Sequence, residues 1–221
     1  MFPARQDRTS KNAIYIALRR LIIMGHHKPG ERFDVETIAN QYNTSVTPVR
    51  EALQMLSQEG LVNIKPRSGY FVSHTTLKQL RDMLDLRRVL ELAAVEAAAG
   101  RIQDDQVIEL TNVHAGYTGD DEEAYHRYMD ENRQFHYLLA RASGNNELAE
   151  TVGRLHDRLA RFMVMRHTAK IMELTHRKII DALKAHDIEA ARQALLDDID
   201  DTYDLIMDKV IQEESEAWSV H

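Results

Sequence analysis

The stretch NTSVTPVREALQMLSQEGL, residues 43–61, decides the fold of the N-terminal part of the chain. Apolar residues recur in it at helical spacing, namely Val49, Leu53 and Leu56. This spacing predicts a helix with one buried face. Thr47 is a suitable N-cap, Pro48 suits the first helical position, and Arg50 lies on the opposite face. A short helix that presents an arginine near its N-terminal end is typical of a reader of the DNA major groove.

The flanking segments predict a winged helix-turn-helix. Upstream, PGERFDVETIANQYN (residues 29–43) contains a turn, a helix that Asp34 can cap, and Asn43, which suits a left-handed turn. Downstream, two strand-like runs flank the basic hairpin tip KPRSG, residues 65–69. We expect the lysine and arginine of this wing to lie near phosphates or the minor groove.

Four strings occur in order along this part of the chain: PGERF, SVTPVREAL, QEGLV and RSGYFV. Together they resemble the N-terminal domain of the GntR superfamily of bacterial transcription regulators. The family often has an arginine where this chain has Val46, so we expect an operator that departs from the commonest family site. Each charged residue could instead be a solvated surface charge paired with a nearby acid. The resemblance implies these DNA-facing residues: Arg32, Ser45, Thr47, Arg50, Lys65, Arg67 and Gly69.

Length and composition limit the class of protein. With 221 residues the chain can hold one large domain or two small ones. It contains no cysteine, which excludes disulfides and thiolate metal sites and favours a reducing compartment. No apolar run approaches the roughly 20 residues that span a membrane, and the first residues lack the apolar core of a signal peptide. We therefore expect a cytoplasmic protein with no membrane partner.

The charge is divided unevenly along the chain. Residues 1–75 carry 10 Lys+Arg against 6 Asp+Glu, a net of +4, whereas residues 76–221 carry 18 against 29, a net of −11. DNA binding depends on the local charge that faces the phosphates, so the overall net charge of −7 does not exclude it.

The periodicity predicts a mainly α protein. A first helix should run from Thr9 or Ser10 to Gly25. Residues 1–75 would form the winged helix-turn-helix DNA-binding domain, and residues 76–221 an antiparallel all-α bundle of about six helices. The six helices are predicted over residues 77–100, 104–115, 121–142, 147–167, 169–185 and 188–214.

The second part also carries a resemblance. The strings LDLRRVLELAAVEAAA, ENRQFHYLLARASGNNEL and HRKIIDALKAHDIEAARQAL occur in order. They resemble the helical effector-binding domain, an FCD-like domain, of the FadR-type branch of the superfamily. The resemblance implies a homodimer that binds a small-molecule effector in this domain.

Helical phase places several polar side chains on apolar faces. They are Arg87, Asn132, His136, His176 and Asp198, and all five are expected to point into the bundle. Buried polar groups need partners, and a divalent metal would satisfy several of them at once. Imidazole and carboxylate ligands suit Zn, Ni, Mn or Fe.

In metal-binding members of the FadR-type branch, an Asp one turn before a His, that His and two later His residues form the site. The resemblance places this metal site at Asn132, His136, His176 and Asp198, with Asn for the Asp and Asp for the last His. The exchange could preserve a site with altered metal preference or mark a site that has lost its metal. Asp198 could also simply pair with Arg87 or His176, and each His could be a hydrogen-bonded core residue. Arg87 could form a structural ion pair or meet an anionic effector.

Three functions are consistent with these patterns. The first is a transcription regulator that binds a double-stranded, roughly palindromic operator as a homodimer and responds to a small effector, an organic acid. For this function we expect repression that the effector releases, and activation is the open alternative. The second is a metalloenzyme that uses the His/Asp site of the bundle. The third is a structural DNA-binding protein whose bundle takes no ligand.

Overall fold

The computed structural model describes residues 6–114, 119, 121–163 and 169–218. The chain divides into two compact units, Met1–Gln79 and Leu80–His221. The fold is mainly helical, with a helix-turn-helix unit followed by an all-helical unit, which confirms the predicted fold class. The predicted domain boundary between residues 75 and 76 stays a prediction.

The first unit contains three helices and a two-stranded hairpin. They are α1 (Gln6–Ile23), α2 (Val35–Gln41), α3 (Val46–Gln58), β1 (Val62–Lys65) and β2 (Gly69–Val72). The strands pair antiparallel, with Val62 opposite Val72 and Lys65 opposite Gly69. Helix α1 begins at Gln6, earlier than the predicted start at Thr9 or Ser10.

The turn that joins α2 to α3 forms as predicted, except at the start of α3. The Asp34 carboxylate caps α2 by accepting from the backbone N–H of Glu36 and Thr37, and Asn43 takes a left-handed conformation with φ 51°. The expected N-cap Thr47 is wrong, because α3 already begins at Val46 with Ser45 as its N-cap. Pro48 therefore lies inside the first turn of α3 rather than at its first position. A proline is tolerated there because the first backbone N–H groups of a helix have no intrahelical acceptor.

Apolar residues of every element close the core of the first unit. Val49, Leu53 and Leu56 of α3 are completely buried, as the helical spacing predicts. They belong to one cluster with Ile14 and Leu18 of α1. Helix α3 therefore keeps its apolar face on α1 and leaves its opposite face, including Arg50, exposed.

The second unit contains six helices in the part of the chain that the structure describes. They are α4 (Leu77–Ala99), α5 (Asp104–Thr111), α6 (Glu122–Ala142), α7 (Asn146–Leu159), α8 (Ala169–Lys184) and α9 (Ile188–Trp218). Helix α6 packs on α7, and α8 packs on α9. None of these helices, nor those of the first unit, is long and apolar enough within the described residues to cross a membrane.

Three of the predicted helix ends are wrong. Helix α5 ends at Thr111 because Asn112, a weaker helix former, takes the C-cap. Helix α7 gives way at Leu159 to the tighter 3₁₀ turn Ala160–Phe162, and the rest of the predicted 147–167 helix lies partly outside the described residues. Helix α9 continues to Trp218, beyond the predicted end at residue 214.

Candidate functional site

A basic cleft lies between the start of α3 and the wing of the first unit. Its volume is about 720 Å³. The structure brings five of the seven predicted DNA-facing residues to it, namely Arg32, Arg50, Lys65, Arg67 and Gly69. Asp34 and Glu36 line the same cleft, so its charge is mixed. Four cations around one opening are the electrostatic footprint expected for contact with phosphates.

The wing holds two of these cations in place. Gly69 has φ 114°, and a Cβ built there would lie 3.3 Å from Nε of Arg32, so the missing side chain leaves room for the guanidinium. On the same hairpin, Lys65 Nζ lies 4.6 Å from the ring centroid of Phe71. At the tip, Arg67 takes a left-handed conformation with φ 61°.

The two remaining predicted residues, Ser45 and Thr47, lie exposed at the start of α3. The Ser45 side chain makes no capping hydrogen bond, so its hydroxyl is available to another acceptor or donor. Val46, at the position where the family often has arginine, packs against the core of this unit and also lines the cleft. Ile64 of β1 also lines the cleft, with 47% of its surface exposed. The sequence analysis did not identify it, because Ile64 lies in a strand, where helical periodicity gives no signal.

The second unit contains a buried polar cluster centred on Arg87 of α4. The Arg87 side chain is only 1% exposed. Its Nε donates to Glu91 Oε1 at 2.9 Å, and its Nη2 donates to Asp198 Oδ2 at 2.8 Å. The same Nη2 lies 3.3 Å from His136 Nε2. Among the described residues, Arg87 Nη1 has no hydrogen-bond partner.

Glu91, which sequence reasoning missed, joins three of these groups. Its Oε1 lies 2.6 Å from His156 Nε2 of α7, and its Oε2 lies 2.8 Å from His136 Nδ1. The short distance from Oε2 favours a proton on His136 Nδ1, although neither of these two atoms makes a hydrogen bond among the described residues. The donor Arg87 Nη2 near Nε2 favours the lone pair at that nitrogen. The sequence signal for Glu91 was its position four residues after Arg87, on the same face of α4.

The structure brings together three of the four predicted metal ligands, namely His136, His176 and Asp198. All three are buried, and each offers one ligand atom within 4.8 Å of the others. The distance from Asp198 Oδ2 to His136 Nε2 is 3.7 Å, as is the distance from Asp198 Oδ1 to His176 Nε2. Asn132, half-buried, directs its Nδ2 to Met163 Sδ at 3.8 Å, and its role as a fourth ligand stays a prediction.

Burial controls the protonation of this cluster. It lowers the pKa of His156 to about 4 and holds the pKa of His176 well below its ordinary value of 6.5. Burial alone would raise the pKa of Glu91, but the groups around it, above all the positive charge of Arg87, outweigh burial and hold that pKa well below 4.5. At neutral pH Glu91 is therefore ionised while His156 and His176 are neutral.

The donor set fits a transition metal. Glu91 balances the charge of Arg87, and His156 and His176 are neutral, so lone pairs of imidazole nitrogens are available in this buried site. Within the described part of the chain, the buried Nε2 of His176 has no hydrogen-bond partner, and it faces Asp198 Oδ1. Asp198 Oδ2 pairs with Arg87, so Oδ1 is the oxygen that faces this space. Two imidazoles and one carboxylate are ligands that suit Zn²⁺ and its neighbours.

Comparison with known proteins agrees with both halves of this description. Residues 10–72 match the bacterial regulatory proteins of the gntR family, and residues 82–201 match the FCD domain. An uncharacterized HTH-type transcriptional regulator of an unstable DNA locus in Streptomyces ambofaciens is 33% identical over 195 residues, covering 85% of this chain and 81% of that protein. The HTH-type transcriptional repressor RspR of Escherichia coli K12 is 26% identical over 211 residues, covering 93% and 91%.

A solved structure of E. coli McbR/YncC has the same fold. The TM-score is 0.71 at 22% identity, with 91% of this chain and 98% of that chain covered. The matches establish the class of protein, a transcription regulator with a helix-turn-helix DNA-binding domain and a helical effector-binding domain. This chain belongs to the GntR family of bacterial regulators, in the group that carries an FCD domain.

Proposed function

We propose that this regulator is a repressor whose operator affinity is controlled by a small anionic effector, an organic acid, bound in the FCD domain. The observation that carries the proposal is the buried cluster, in which several side-chain atoms have no hydrogen-bond partner among the described residues, two of them of opposite character. Arg87 Nη1 is a buried donor suited to a carboxylate, and His176 Nε2 is a buried nitrogen suited to a cation.

We further propose that a divalent transition metal binds at His136, His176 and Asp198, with Asn132 as the candidate fourth ligand. The metal would be Zn, Ni, Mn or Fe. It would place positive charge beside the Asp198 carboxylate and provide a Lewis-acidic position for an oxygen of the effector. Arg87 Nη1 would bind the carboxylate of the same effector, so recognition would combine a metal and a guanidinium.

The DNA contacts are proposed for Arg32, Ser45, Thr47, Arg50, Lys65, Arg67 and Gly69. A gel-shift titration against an operator selected from a random duplex library tests Arg50 directly. Arg50→Ala should lower operator affinity, and the slope of log affinity against log salt should become shallower by about 0.9 for each phosphate that Arg50 neutralises. Lys28→Ala, which removes an exposed charge of the same unit outside the cleft, should leave both values unchanged. Equal binding by Arg50→Ala and the parent would contradict the assignment.

We propose that the protein acts as a homodimer in the cytoplasm, where bacterial operators are found. Leu86 and Val89 of α4, one turn apart, are 44% and 65% exposed and could take part in such an interface. A two-fold dimer matches a palindromic operator, because each half-site meets one winged domain. Val89→Glu should shift the light-scattering mass from dimer to monomer if this surface contributes.

Elemental analysis of protein purified without a metal-affinity tag tests the metal site. About one transition metal per chain is expected in the parent and in His74→Gln, whose histidine is exposed in the first unit. Asp198→Asn and His136→Gln should lose it. Absence of metal from the parent after incubation with Zn, Ni or Mn would overturn this part of the proposal.

The effector is tested by thermal melting in the presence of chelating carboxylates such as citrate. A ligand at about 100 times its dissociation constant adds about 2.7 kcal/mol of stability. The same compound should release the operator in a gel shift. If neither metal nor carboxylates stabilise the protein, the result would favour the third function, a structural DNA-binding protein whose bundle takes no ligand.

The metalloenzyme alternative is weaker on chemical grounds. Glu91 and Asp198 both accept hydrogen bonds from Arg87, and the low pKa of Glu91 makes it a poor general base. Hydrolysis of a carboxylate ester by the parent but not by His136→Gln would support the enzyme.

A further inference from the structure

The Nδ1 side of the His176 ring contacts a second histidine, which the helical-phase argument did not identify. His114, three residues beyond the end of α5, places its Nε2 2.8 Å from His176 Nδ1. On its other side, His114 Nδ1 lies 3.3 Å from Glu131 Oε2 of α6. The His114 and Glu131 side chains are 8% and 10% exposed, so this chain of groups is largely shielded from water.

The identity of the groups determines where the protons lie. A carboxylate oxygen accepts hydrogen bonds, so the ring nitrogen of His114 that faces Glu131 is the one that carries the proton. The proton of a neutral His114 therefore lies on Nδ1 and points to Glu131. Its Nε2 then carries a lone pair, and the close contact between the two rings requires the proton of His176 to lie on Nδ1.

The consequence concerns Nε2, the other ring nitrogen of His176. With the proton on Nδ1, its Nε2 carries a lone pair directed at the space beside Asp198 Oδ1, 3.7 Å away. Phe135 holds the ring in this orientation, because the two rings stack with centroids 3.8 Å apart and planes 7° apart. His136 Nε2 likewise lies 3.7 Å from Asp198 Oδ2, so both imidazoles direct Nε2 toward Asp198.

We infer that His114 and Glu131 form a positioning relay that holds His176 in the tautomer whose Nε2 can bind a metal. The inference rests on the proposed metal site, and it adds two residues outside that site which set its affinity. Outer partners that orient a metal-binding histidine typically change metal affinity by about 10–100-fold when they are removed.

The test measures the tautomer and the affinity separately. Long-range ¹H–¹⁵N spectra of the metal-free protein at neutral pH report which ring nitrogen of His176 carries the proton, with the signal assigned from a His176→Gln spectrum. Zn²⁺ affinity is measured by competition with a chelator. The variants are His114→Phe, which keeps a ring beside His176, and Glu131→Gln, which keeps the size of the side chain but removes its charge.

His126→Phe is the matched control. Its histidine is half-buried on the same helix as Glu131 and lies 3.4 Å from Asp130, a pair separate from His176. We expect the Nδ1–H tautomer in the parent and in this control, with equal Zn²⁺ affinity. His114→Phe should lose the single tautomer and bind Zn²⁺ about 10–100-fold more weakly. Glu131→Gln should show a smaller change in the same direction.

Three results separate the inference from the function it rests on. An Nε2–H tautomer in the parent, or an unchanged tautomer in His114→Phe, overturns the relay. Equal Zn²⁺ affinity in the parent and His114→Phe overturns its role in metal binding. A parent that shows the Nδ1–H tautomer, loses it in His114→Phe and binds no metal supports the relay and overturns the metal site instead.

Discussion

At the scale of single residues, Arg87 explains how two carboxylates can be buried in one bundle. Its guanidinium binds Glu91 of its own helix and Asp198 of α9 through two different nitrogens. An ammonium group is a point charge and does not reproduce this planar fork. The cluster therefore requires arginine at this position rather than any cation.

Arg87→Lys should destabilise the metal-free protein strongly. Breaking a buried ion pair costs roughly 3–5 kcal/mol, and lysine would satisfy at most one of the two carboxylates well. Arg88→Lys is the control, because this neighbouring arginine forms an exposed pair with Asp200. Urea unfolding in the presence of a chelator should show a loss approaching that range for the first variant and little for the second. Equal stability of the two variants would contradict the role of Arg87 as the shared partner of both carboxylates.

Gly69→Ala should weaken operator binding through Arg32. The added Cβ would lie 3.3 Å from Arg32 Nε, so the guanidinium would have to shift by a few tenths of an ångström from its place beside the wing. Gly30→Ala is the control, since Gly30 also has a positive φ, of 82°, but open space around its Cβ position. Both variants should lose about 1 kcal/mol of stability from backbone strain. Only Gly69→Ala should lower affinity in a fluorescence anisotropy titration, and an equal effect of both would remove Arg32 from the interface.

At the scale of secondary-structure elements, α2 combines a structural and an electrostatic role at one residue. Asp34 caps the helix through backbone N–H groups of its first turn, and it also lines the basic cleft proposed to contact DNA. The capping hydrogen bonds from Thr37 lower the pKa of Asp34, so it is ionised at neutral pH. A negative charge in this position opposes phosphate binding while it stabilises the helix.

Asp34→Ala and Asp34→Ser should separate the two roles. The alanine variant should lose about 0.5–2 kcal/mol of stability because it lacks a cap, whereas serine can replace the cap. Both remove the negative charge, so both should bind nonspecific duplex DNA more tightly at low salt. Thermal melting and anisotropy are the measurements. Unchanged DNA affinity in both variants would show that the carboxylate does not face the phosphates.

Sequence periodicity predicted the elements well because each has a clear apolar face. The buried positions of α3 follow from local pattern alone. The start of α3 could not be predicted from local pattern, because Ser45 and Thr47 are both good caps and Pro48 is tolerated at more than one position in the first turn.

The candidate site was only partly predictable for a different reason. Helical phase placed Arg87, His136, His176 and Asp198 inside the bundle, and all four are buried. It did not connect them with His156 or His114, since those residues lie on other segments whose packing is not written in any local pattern. The partner of each imidazole nitrogen is a property of the tertiary structure.

At the scale of the whole molecule, the buried histidines couple global stability to pH. The unfolded chain binds a proton at a histidine below pH 6.5, but the pKa of His156 in the folded protein is about 4. The unfolded state therefore holds more protons between these values, and stability falls as the pH is lowered through this window. His176, whose pKa is also lowered by burial, adds to the same trend.

The acid sensitivity should be reduced in His156→Gln. In the metal-free parent, His156 contributes a slope of about 1.4 kcal/mol per pH unit between pH 6.5 and 4. Urea unfolding at several pH values should show a shallower slope for His156→Gln than for the parent. His74→Gln, which changes an exposed histidine, should keep the slope of the parent. Identical slopes in all three proteins would contradict a neutral buried His156.

The complete burial of the inner cluster also has a kinetic consequence. Arg87, His136 and His176 are at most 1% exposed, so an effector or ion cannot reach them without a transient separation of the surrounding helices. The rate of response would then be limited by how often the helices part rather than by diffusion, and would become independent of ligand at high concentration. A regulator of this kind would ignore brief pulses of its signal and respond to sustained ones.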